Sequence, residues 1–563
     1  MHQAGGGGGG VGRGEAVPPD GVACAAVALA AGRAAGPVWV APSATGTAAR
    51  GLEEARAAAL AFLRELEGGE GRAPGEAGMV AAQAEMLDDP SLLARVRELA
   101  PGLGAEAAVR VAVEAFALAL EGVDDPYLAA RAHDVREVGD LWLEHMRGSD
   151  VETASPPVPS IVVAERLALG WLLAQPPGSV RAIVAHRATR TMHATIVASS
   201  RGIPVVAVEA DDDFAACRGA RRLLVDGTRG RVVLEPPAAH VAASADGAIV
   251  GPLRLGRTTI RVGANASDAD EARAAREAGA DGIVLVRTEL AVERAGRLLT
   301  RDEQADLYAA IAQAMEGRPV TFRTLDLGAD KPLRGVTPEG EPNPQLGVRG
   351  IRLYRRRPEL LHEQLAALWR LAAARPGVQV MFPMVASPDD WAFCRAAMRQ
   401  VVADVPATGP HRPRLGVMLE VPSALLWLPE LIAAGVEFVS LGTNDLLQYF
   451  LAQDREAVDL PPPRVPLALL RLLDLALRGV ARTGVEVAVC GEAAADPLLV
   501  PLLALVGVRE FGVAPSRVGA VKRSLAALVR RRDWRSRLRP LLGCASDLEA
   551  ERRLAAEAWW LDA

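Results

Sequence analysis

Residues 415–445 read LGVMLEVPSALLWLPELIAAGVEFVSLGTND and contain two copies of one pattern. Each copy begins with a short apolar run, LGVMLEV and FVSLGT respectively, and a helical stretch follows it. Runs of this kind are typical of strands that are buried on both faces. Polar residues stand where the runs end, Glu420 in the first copy and Asn444 with Asp445 in the second. The stretch therefore predicts neighbouring strands that carry acidic side chains at their ends.

The same strand and helix unit recurs through the second half of the chain. Its eight strand candidates are TTIRVGAN (258–265), GIVLVRT (282–288), VTFRTLD (320–326), VQVMFPMV (378–385), LGVMLEV (415–421), FVSLGT (438–443), EVAVCGE (486–492) and EFGV (510–513). Eight such units in about 300 residues predict a (β/α)8 barrel over residues 258–563, with its chemistry at the carboxyl ends of the strands. Those ends carry Arg287, Arg323, Glu420, Asn444, Asp445 and Cys490.

Three further regions precede the barrel. Residues 1–20 include six consecutive glycines and predict a disordered tail. Residues 51–147 have helical periodicity without hairpin signals, which predicts a helical subdomain. Residues 21–50 and 148–237 hold β-branched runs such as SIVVA and RAIVAH between helical stretches, which predict a compact α/β domain around that subdomain. Residues 238–257 read as a linker, so the expected fold class is multidomain α/β.

Composition limits the possible partners and the compartment. A formal net charge of -6 over 563 residues gives no general attraction to nucleic acid or to an anionic membrane. The cysteines lack any pairing or metal-ligand spacing, and they are Cys24, Cys217, Cys394, Cys490 and Cys544. A reducing compartment is the expectation. Residues 22–31 follow acidic rather than basic residues, and residues 498–508 are too few to span a bilayer. We therefore expect a cytoplasmic protein without membrane insertion.

The acids at the strand ends suit a metal ion. Glu420 and Asp445 close neighbouring strands, so their oxygens are expected to lie close together. Carboxylate oxygens with retained waters are the ligands of a hard divalent cation, Mg²⁺ before Ca²⁺. The sequence therefore predicts a magnesium site at this end of the barrel.

The basic residues near the same strand ends suit an anionic substrate. Arg287, Arg323 and Arg349 offer forked donors to phosphate and carboxylate oxygens, and Arg455, ten residues beyond Asp445, is a further candidate. Buried charges of both signs are costly unless they meet each other or a ligand. This end of the barrel is therefore expected to bind a small charged molecule.

Lysine is rare in this chain. Of 63 basic residues only Lys331 and Lys522 are lysine. Since arginine is used almost everywhere else, Lys331 is expected to have a task that arginine performs less well. A point charge on a phosphoryl oxygen is such a task.

Each candidate also has a structural interpretation. A single arginine at a barrel end is as readily half of a structural ion pair as a ligand for substrate. Cys490 by itself fits an inert core thiol, because cysteine is among the most buried residue types. Its position at a strand end beside the predicted metal site favours a proton donor.

Taken together, these segments resemble the phosphoenolpyruvate (PEP)-binding barrel of the PEP-utilising enzymes. The segments that carry the resemblance are LVRTEL (285–290), FRTLDLGADK (322–331), NPQLGVRGIR (343–352), GVMLEVP (416–422), GTNDLLQYFLAQDR (442–455) and CGE (490–492). The resemblance implies that Glu420 and Asp445 bind Mg²⁺ and that Cys490 protonates the enolate to give pyruvate. It implies that the phosphate and carboxylate of PEP are held by Arg287, Arg323, Lys331, Arg349, Asn444 and Arg455.

The upstream domains resemble one branch of that family. ATRTMHATIVASSRGIPVV (188–206) is similar to the family's phosphohistidine motif and identifies His193 as the phosphorylated residue. DDPYLAARAHDVREVG (124–139) resembles the subdomain that docks the phosphocarrier protein HPr in Enzyme I of the bacterial sugar phosphotransferase system. The resemblance implies autophosphorylation of His193, transfer to HPr and a homodimer through the barrel. Two related enzymes, pyruvate phosphate dikinase and phosphoenolpyruvate synthase, need a large ATP-binding domain ahead of the histidine. This chain has no room for such a domain.

His193 suits the task chemically. A neutral imidazole attacks phosphorus without a separate base, and the resulting phosphoramidate passes the group onward. A satisfied structural histidine is the alternative, and it is the preferred interpretation for His186, His133 and His362. The loop before His193 departs from the family's Gly-Gly and Thr-Ser pattern, and the residues there are Ala188, Thr189, Thr191 and Met192. The linker PPAAHVAASADGAIVG (236–251) also predicts a shortened linker helix.

Three functions follow from these observations. The first is a working Enzyme I. The second is a regulatory protein that senses PEP through its barrel but relays the phosphoryl group poorly because of the altered loop. The third is an enzyme that acts on PEP or a related enolate without a protein acceptor.

Overall fold

The structure is a computed structural model, and it describes residues 23–30, 32–41, 50–67, 74–122, 126–147, 154–176, 178–186, 188–189, 192–237, 249, 251–255, 258–329, 331, 333–338, 340–454 and 462–557. The chain forms two compact units. One comprises residues 1–43, 150–195 and 203–246, and the other comprises residues 44–149, 196–202 and 247–563. The predicted tail, 1–20, lies outside the described residues.

The described residues between 52 and 146 are mostly helical, as predicted. The helices are α1 (Leu52–Glu67), α2 (Pro74–Leu87), α3 (Pro90–Leu103), α4 (Ala105–Glu121) and α5 (Pro126–Met146). Helix α5 packs on α1, α2 and α4. The crossing of α4 and α5 requires glycine at position 139, because a Cβ there would lie 2.7 Å from two methyl carbons of Val113. Trp142 is fully buried, and its indole N–H donates to the carbonyl of Leu52 at 3.0 Å.

The α/β unit contains one eight-stranded sheet. Its strands are β1 (Ala23–Ala25), β2 (Val27–Ala30), β3 (Arg33–Val40), β4 (Ser160–Ala164), β5 (Val180–Ala185), β6 (Val205–Ala207), β7 (Arg222–Asp226) and β8 (Arg231–Leu234). The strand order is β1-β8-β7-β3-β4-β5-β6-β2, with a parallel centre from β3 to β6 and antiparallel pairs at both edges. The helices of this part of the chain are α6 (Leu169–Ala174), α7 (His193–Ser200) and α8 (Asp211–Gly219).

All eight predicted barrel strands are present. Strand β9 (Leu253–Leu255) pairs antiparallel with the first of them, and the eight are β10 (Thr258–Ala266), β11 (Ile283–Arg287), β12 (Val320–Arg323), β13 (Val378–Phe382), β14 (Arg414–Leu419), β15 (Phe438–Leu441), β16 (Glu486–Val489) and β17 (Glu510–Val513). Each pairs parallel with the next, and β17 and β11 both pair with β10, which closes the barrel. The fold prediction is therefore confirmed.

Helices alternate with these strands. They are α9 (Ala269–Glu277), α10 (Glu289–Ala295), α11 (Arg301–Ala314), α12 (Ile351–Arg356), α13 (Pro358–Ala374), α14 (Pro388–Asp404), α15 (Pro422–Leu426), α16 (Leu428–Ala433), α17 (Thr443–Leu451), α18 (Leu467–Leu477), α19 (Leu499–Val506), α20 (Val518–Arg530), α21 (Trp534–Leu538) and α22 (Asp547–Glu557). Among the described residues, none of the helices combines the length and the apolar character that crossing a membrane would need.

The amino-terminal ends of the strands form the bottom of the barrel and hold paired charges. The Arg261 guanidinium contacts Glu486 at 2.6 Å and Glu510 at 3.1 Å, and Arg414 contacts Glu486 at 2.6 Å. Nearby residues supply a second, fully buried pair. The Lys522 Nζ donates to Asp281 Oδ1 at 2.8 Å, and the other oxygen of Asp281 accepts the N–H of Val262.

Candidate functional site

The carboxyl ends of the barrel strands form the mouth of the barrel, where three acids converge. One carboxylate oxygen from each of Asp326, Glu420 and Asp445 lies within 4.8 Å of the others, and all three residues are buried. Asp326 follows β12, Glu420 follows β14, and Asp445 lies in the first turn of α17 after β15. The closeness expected of Glu420 and Asp445 is present, and Asp326 is a third acid that the sequence analysis did not single out.

Glu420 is held from two sides. Met384 adopts a left-handed backbone conformation with φ of 57°, and its N–H donates to Glu420 Oε1 at 2.5 Å. Such a conformation is strained for a residue with a side chain, and strain of this kind clusters at functional sites. Gly442 lies so close that a Cβ there would be 3.0 Å from Glu420 Oε2. Among the described residues, Oε2 of Glu420 is buried without a hydrogen-bond partner.

The protonation of Glu420 responds to its surroundings. Burial, followed by the nearby charges of Asp326 and Asp445, raises the pKa of the Glu420 carboxyl to about 8. A cation beside these oxygens would favour the charged carboxylate instead. The unpartnered Oε2 and the neighbouring Asp445 therefore fit the Mg²⁺ that the sequence predicted.

Asp326 is already neutralised by arginine. Arg349 binds it with both ends of its fork, through Nη2 to Oδ2 at 2.6 Å and Nε to Oδ1 at 3.2 Å. Although burial acts in the opposite direction, Arg323 and Arg349 lower the pKa of Asp326 to about 2. Arg349 also lies 3.8 Å from Asp445 and hydrogen-bonds Gln345. Since both oxygens of Asp326 accept from Arg349, Glu420 and Asp445 fit the predicted Mg²⁺ better than Asp326 does.

Arg323 pairs with an acid that the sequence analysis passed over. Its Nη2 donates to Glu289, which is 1% exposed and lies at the start of α10. Its Nη1 lies 3.5 Å from Asp326 Oδ2. Burial opposes the charged guanidinium, but Glu289 and Asp326 outweigh it and raise the pKa of Arg323. Lys331 lies at the edge of this group, 3.6 Å from Glu289 and 3.4 Å from Glu293.

The remaining ligand candidates differ in their placement. Arg287, at the end of β11, is exposed to solvent. Asn444 is in α17, and its Oδ1 accepts the backbone N–H of Glu492 at 3.0 Å, which ties the ends of β15 and β16 together. Gly491 permits this approach, because a Cβ there would lie 2.0 Å from Thr443 Oγ1. Arg455 lies outside the described residues.

Cys490 lies directly after β16 and beside the polar groups. Its sulfur accepts a hydrogen bond from Ser440 at 3.3 Å and lies 3.7 Å from the carbonyl of Leu441. Asn265 donates to the Cys490 carbonyl at 3.0 Å. Burial raises the pKa of the Cys490 thiol to about 11. The sulfur is therefore protonated near neutral pH, the state that proton donation requires.

His193 opens helix α7 in the α/β unit. It is partly exposed, whereas Ala194 and Thr195, which follow it, are buried. The backbone N–H of Thr195 donates to the Met192 carbonyl, and the N–H of Thr189 donates to the Met192 sulfur at 3.1 Å. Within this partly exposed residue, the ring nitrogen Nδ1 is buried.

The other histidines provide a contrast. His186 places one ring nitrogen 2.8 Å from the Val208 carbonyl and the other 3.1 Å from Asp211, and it stacks on Phe214. These contacts fit the structural interpretation of His186. His362 lies 3.8 Å from Asp404 on the barrel. The His133 side chain lies outside the described part of the chain.

Comparison with known proteins identifies the family. The description "PEP-utilising enzyme" applies to three matched family models: the N-terminal domain over residues 22–131, the mobile domain over 156–230 and the PEP-binding domain over 252–530. A phosphoenolpyruvate-protein phosphotransferase of Streptomyces coelicolor is 34% identical over 533 residues, which are 91% of each chain. The chain belongs to the PEP-utilising enzyme family.

Other relatives in the PEP-utilising family define the extent of the match. A phosphoenolpyruvate-protein phosphotransferase of Cupriavidus necator is 35% identical over 513 residues, 84% of this chain and 86% of that protein. A multiphosphoryl transfer protein of Xanthomonas campestris is 33% identical over 480 residues, 80% of this chain but 56% of that protein. This chain therefore spans little more than half the length of that protein. The two relatives named phosphoenolpyruvate-protein phosphotransferases are matched over most of both chains.

Proposed function

We propose that this protein transfers the phosphoryl group of PEP to His193, releases pyruvate, and passes the phosphoryl group from His193 to HPr as Enzyme I does. The observation that carries the proposal is the composition of the barrel mouth. Forked arginines, two acids that fit Mg²⁺ and a protonated thiol meet there in one buried cluster. PEP requires each of these groups, because it carries a phosphoryl group, a carboxylate and a carbon that must be protonated.

Substrate binding follows from the charges. Arg323, Arg349 and Arg287 supply fork-shaped donors, and Lys331 supplies a point charge for phosphoryl oxygens. Glu420 and Asp445 would hold Mg²⁺, which neutralises charge on the phosphoryl and carboxylate oxygens of the substrate when bound. Positioning and charge neutralisation are the main requirements of phosphoryl transfer.

The chemical steps balance without a further reactant. An imidazole nitrogen of His193 forms a bond to phosphorus, and the bond from phosphorus to the C2 oxygen of PEP breaks. The enolate of pyruvate that leaves takes a proton at C3 from the Cys490 thiol, and the thiolate regains a proton from water. The next step forms a bond from phosphorus to HPr and breaks the bond to His193.

The helical subdomain provides a surface for HPr. Val111 and Leu118 lie two turns apart on α4 and are 45% and 57% exposed. Residues seven apart lie on the same face of a helix. Exposed apolar side chains on one face are typical of a protein interaction site. We assign the docking of HPr to this part of residues 51–147.

A labelling experiment tests the proposal. Protein is incubated with ³²P-labelled PEP and Mg²⁺, and the incorporated label and the released pyruvate are measured. The wild type and the control His362→Ala are expected to take up label, and His193→Ala is expected to take up none. Added HPr is expected to discharge the label. Label that persists in His193→Ala would remove the histidine assignment.

The altered loop favours a second function, a PEP sensor with poor relay. Ala188 and Thr189 stand where the family has glycine, and the N–H of Thr189 is bound to the sulfur of Met192. Binding of PEP without label on His193 would support this function. Pyruvate release that survives His193→Ala would instead support an enzyme without a protein acceptor.

We also propose that two copies associate through the barrel. Leu426 and Trp427, which follow the strand of Glu420, are 70% and 45% exposed. Large apolar side chains of this kind are covered in dimer interfaces. Sedimentation analysis of the wild type and of Leu426→Glu/Trp427→Glu tests this, and a monomer in both would contradict it.

A further inference from the structure

Glu289 is a charged residue at the barrel mouth for which the proposed chemistry gives no task. It is 1% exposed and lies two positions beyond Arg287, at the start of α10. Burying a carboxylate costs free energy unless opposite charges compensate it. This one also lies where a negatively charged substrate must bind, so it opposes the ligand that the arginines attract.

The contacts of Glu289 connect the two cations nearest to it. Its Oε1 accepts from Arg323 Nη2 and lies 3.6 Å from Lys331 Nζ. Arg323 is 8% exposed and is fixed by this contact, whereas the Lys331 side chain is 28% exposed and is also only 3.4 Å from Glu293. Arg323 is therefore held in one place, and Lys331 is shared between two acids at distances that leave it able to move onto a ligand.

Two buried polar atoms remain unsatisfied in this pair. Among the described residues, Nε of Arg323 and Oε2 of Glu289 are buried without a hydrogen-bond partner. A buried N–H without an acceptor is costly, and a bound anion removes that cost. Nη2 donates to Glu289, and Nη1 donates to the sulfur of Met418 at 3.7 Å and lies 3.5 Å from Asp326. Nε is therefore the nitrogen of Arg323 left for a ligand. The contact with Glu289 thus holds the guanidinium of Arg323 in one orientation.

We propose that Glu289 is a positioning and specificity-determining residue of the PEP site. Its carboxylate orients Arg323, and as an internal anion already paired with Arg323 and Lys331 it weakens the binding of simple anions such as inorganic phosphate. Only a ligand that also meets the other arginines and the metal gains enough contacts to outweigh this competition. The substrate named here rests on the proposed function.

Removing the charge of Glu289 is expected to change phosphate affinity and PEP turnover in opposite directions. Glu289→Gln keeps the size of the side chain and removes its charge. Arg323 and Lys331 then present more positive charge, so inorganic phosphate is expected to bind more tightly. Turnover of PEP is expected to fall, because the fork of Arg323 is less firmly oriented. A gain in one affinity together with a loss in kcat is not what a damaged structure produces.

The experiment measures inorganic phosphate and PEP on the same full-length variants. Calorimetry with phosphate in the presence of Mg²⁺ is expected to give a Kd about tenfold lower for Glu289→Gln, because one competing charge has been removed. The kcat for pyruvate release is expected to fall about tenfold. Glu289→Asp keeps the charge and is expected to keep the wild-type phosphate Kd. Glu293→Gln, the matched control on the exposed side of Lys331, is expected to leave Kd within about twofold.

The outcomes separate this inference from the proposed function. Phosphate binding to Glu289→Gln that is unchanged or weaker overturns the inference, and so does an equal gain in Glu293→Gln. A wild type that releases no pyruvate from PEP contradicts the proposed function, while the phosphate measurement still decides the role of Glu289. If Glu289→Gln does not fold, the shorter pair Glu289→Asp and Glu289→Asn gives the same comparison of charged and neutral side chains.

Discussion

The two ends of the barrel contain the same kinds of charged residue, but the hydrogen bonds of these residues are complete to different degrees. At the bottom, Arg261 contacts both Glu486 and Glu510, and Lys522 contacts Asp281. At the mouth, several buried polar atoms have no hydrogen-bond partner among the described residues, and they are Glu289 Oε2, Arg323 Nε, Glu420 Oε2 and Thr443 Oγ1. A closed network stabilises the fold, whereas an incomplete one is completed by a ligand.

The completeness of the hydrogen bonds therefore distinguishes structural from functional charges, even where the residue types are the same. Strand ends at the bottom of such barrels contribute to stability, and those at the mouth carry chemistry. Removing a charge from the bottom is therefore expected to reduce stability and leave kcat unchanged. Removing one from the mouth is expected to do the reverse. The following predictions test this expectation with residues from the mouth, from the bottom and with matched controls.

The largest effect is expected at Glu420. Glu420→Gln removes a proposed metal ligand without changing the shape of the side chain, so kcat/KM for pyruvate release is expected to fall by at least about 10³-fold. The melting temperature of the metal-free protein is expected to stay the same or rise, because a buried carboxylate has been removed. Steady-state kinetics with varied Mg²⁺ and thermal unfolding measure both. Normal turnover would contradict the metal assignment.

Glu486→Gln is the matched control at the bottom. It leaves Arg261 and Arg414 with a neutral partner, so the free energy of unfolding is expected to fall by about 1–3 kcal/mol. The kcat of the folded protein is expected to remain within about twofold of the wild type. A large loss of kcat in this variant would break the distinction between the two ends.

Lys522 is expected to give the largest effect on stability. It is 0% exposed and donates to the carbonyls of Gly251 and Gly279 as well as to Asp281. Lys522→Met leaves Asp281 buried without its cation, which is expected to cost about 3–5 kcal/mol of unfolding free energy. Denaturant unfolding measures this cost. The double variant Lys522→Met/Asp281→Asn is expected to recover part of it, and no recovery would show that the charge pair is not the cause.

Substitution of Cys490 is expected to reduce turnover by an intermediate amount and to leave stability unchanged. Cys490→Ser replaces the proposed proton donor with a poorer one, and pyruvate formation is expected to slow about 10²-fold. Cys394→Ser, in a fully buried cysteine of α14, is the control and is expected to leave the rate nearly unchanged. Equal rates in both variants and the wild type would make Cys490 an inert core thiol.

The pH dependence sharpens the same comparison. Since burial raises the pKa of Cys490 to about 11, its neutral thiol persists above the pH at which an ordinary cysteine ionises. Loss of activity from ionisation of this thiol is therefore expected above about pH 10 and not near pH 8.5. Alkylation of Cys490 by iodoacetamide, followed by mass spectrometry, should accelerate over the same high range. Fast labelling at pH 8 would contradict a buried neutral thiol.

The sequence predicted the barrel because its strands are buried on both faces and therefore appear as uninterrupted apolar runs. LGVMLEV (415–421), for example, overlaps β14 and contains Glu420, the first residue after that strand. The order of the strands along the sequence was enough to predict that Glu420 and Asp445 lie close together, because adjacent parallel strands end at the same edge. Asp326 stands in the same kind of position after β12, so the strand-end rule offered a signal for it that was not used.

The sequence did not predict the role of Glu289 or the different environments of Lys331 and Lys522. Glu289 lies within the segment LVRTEL, but its contact with Arg323 spans 34 residues and depends on the closure of the barrel. The rarity of lysine marked Lys331 and Lys522 equally. Only three-dimensional contacts separate them, since one is fully buried against backbone carbonyls and the other lies loosely between two acids.

The smallest effect, and the most direct test of the contrast between the two ends, is expected from exchanging these lysines for arginine. At the mouth, the longer planar fork of Lys331→Arg pairs more firmly with Glu289 and Glu293 than a mobile ammonium does. The residue then leaves these acids less readily for a phosphoryl oxygen, and kcat/KM is expected to fall about tenfold without loss of stability.

Lys522→Arg is the counterpart at the bottom, where the side chain is fully buried and a larger fork must displace its neighbours. Its unfolding free energy is expected to fall by about 1–3 kcal/mol, and the kcat of the folded protein is expected to be unchanged. Measuring kinetics and denaturant unfolding on both variants gives four values. If Lys331→Arg loses stability, or Lys522→Arg loses turnover, the same exchange acts alike at both ends of the barrel. The two ends then do not divide function from stability in the way that their hydrogen bonds indicate.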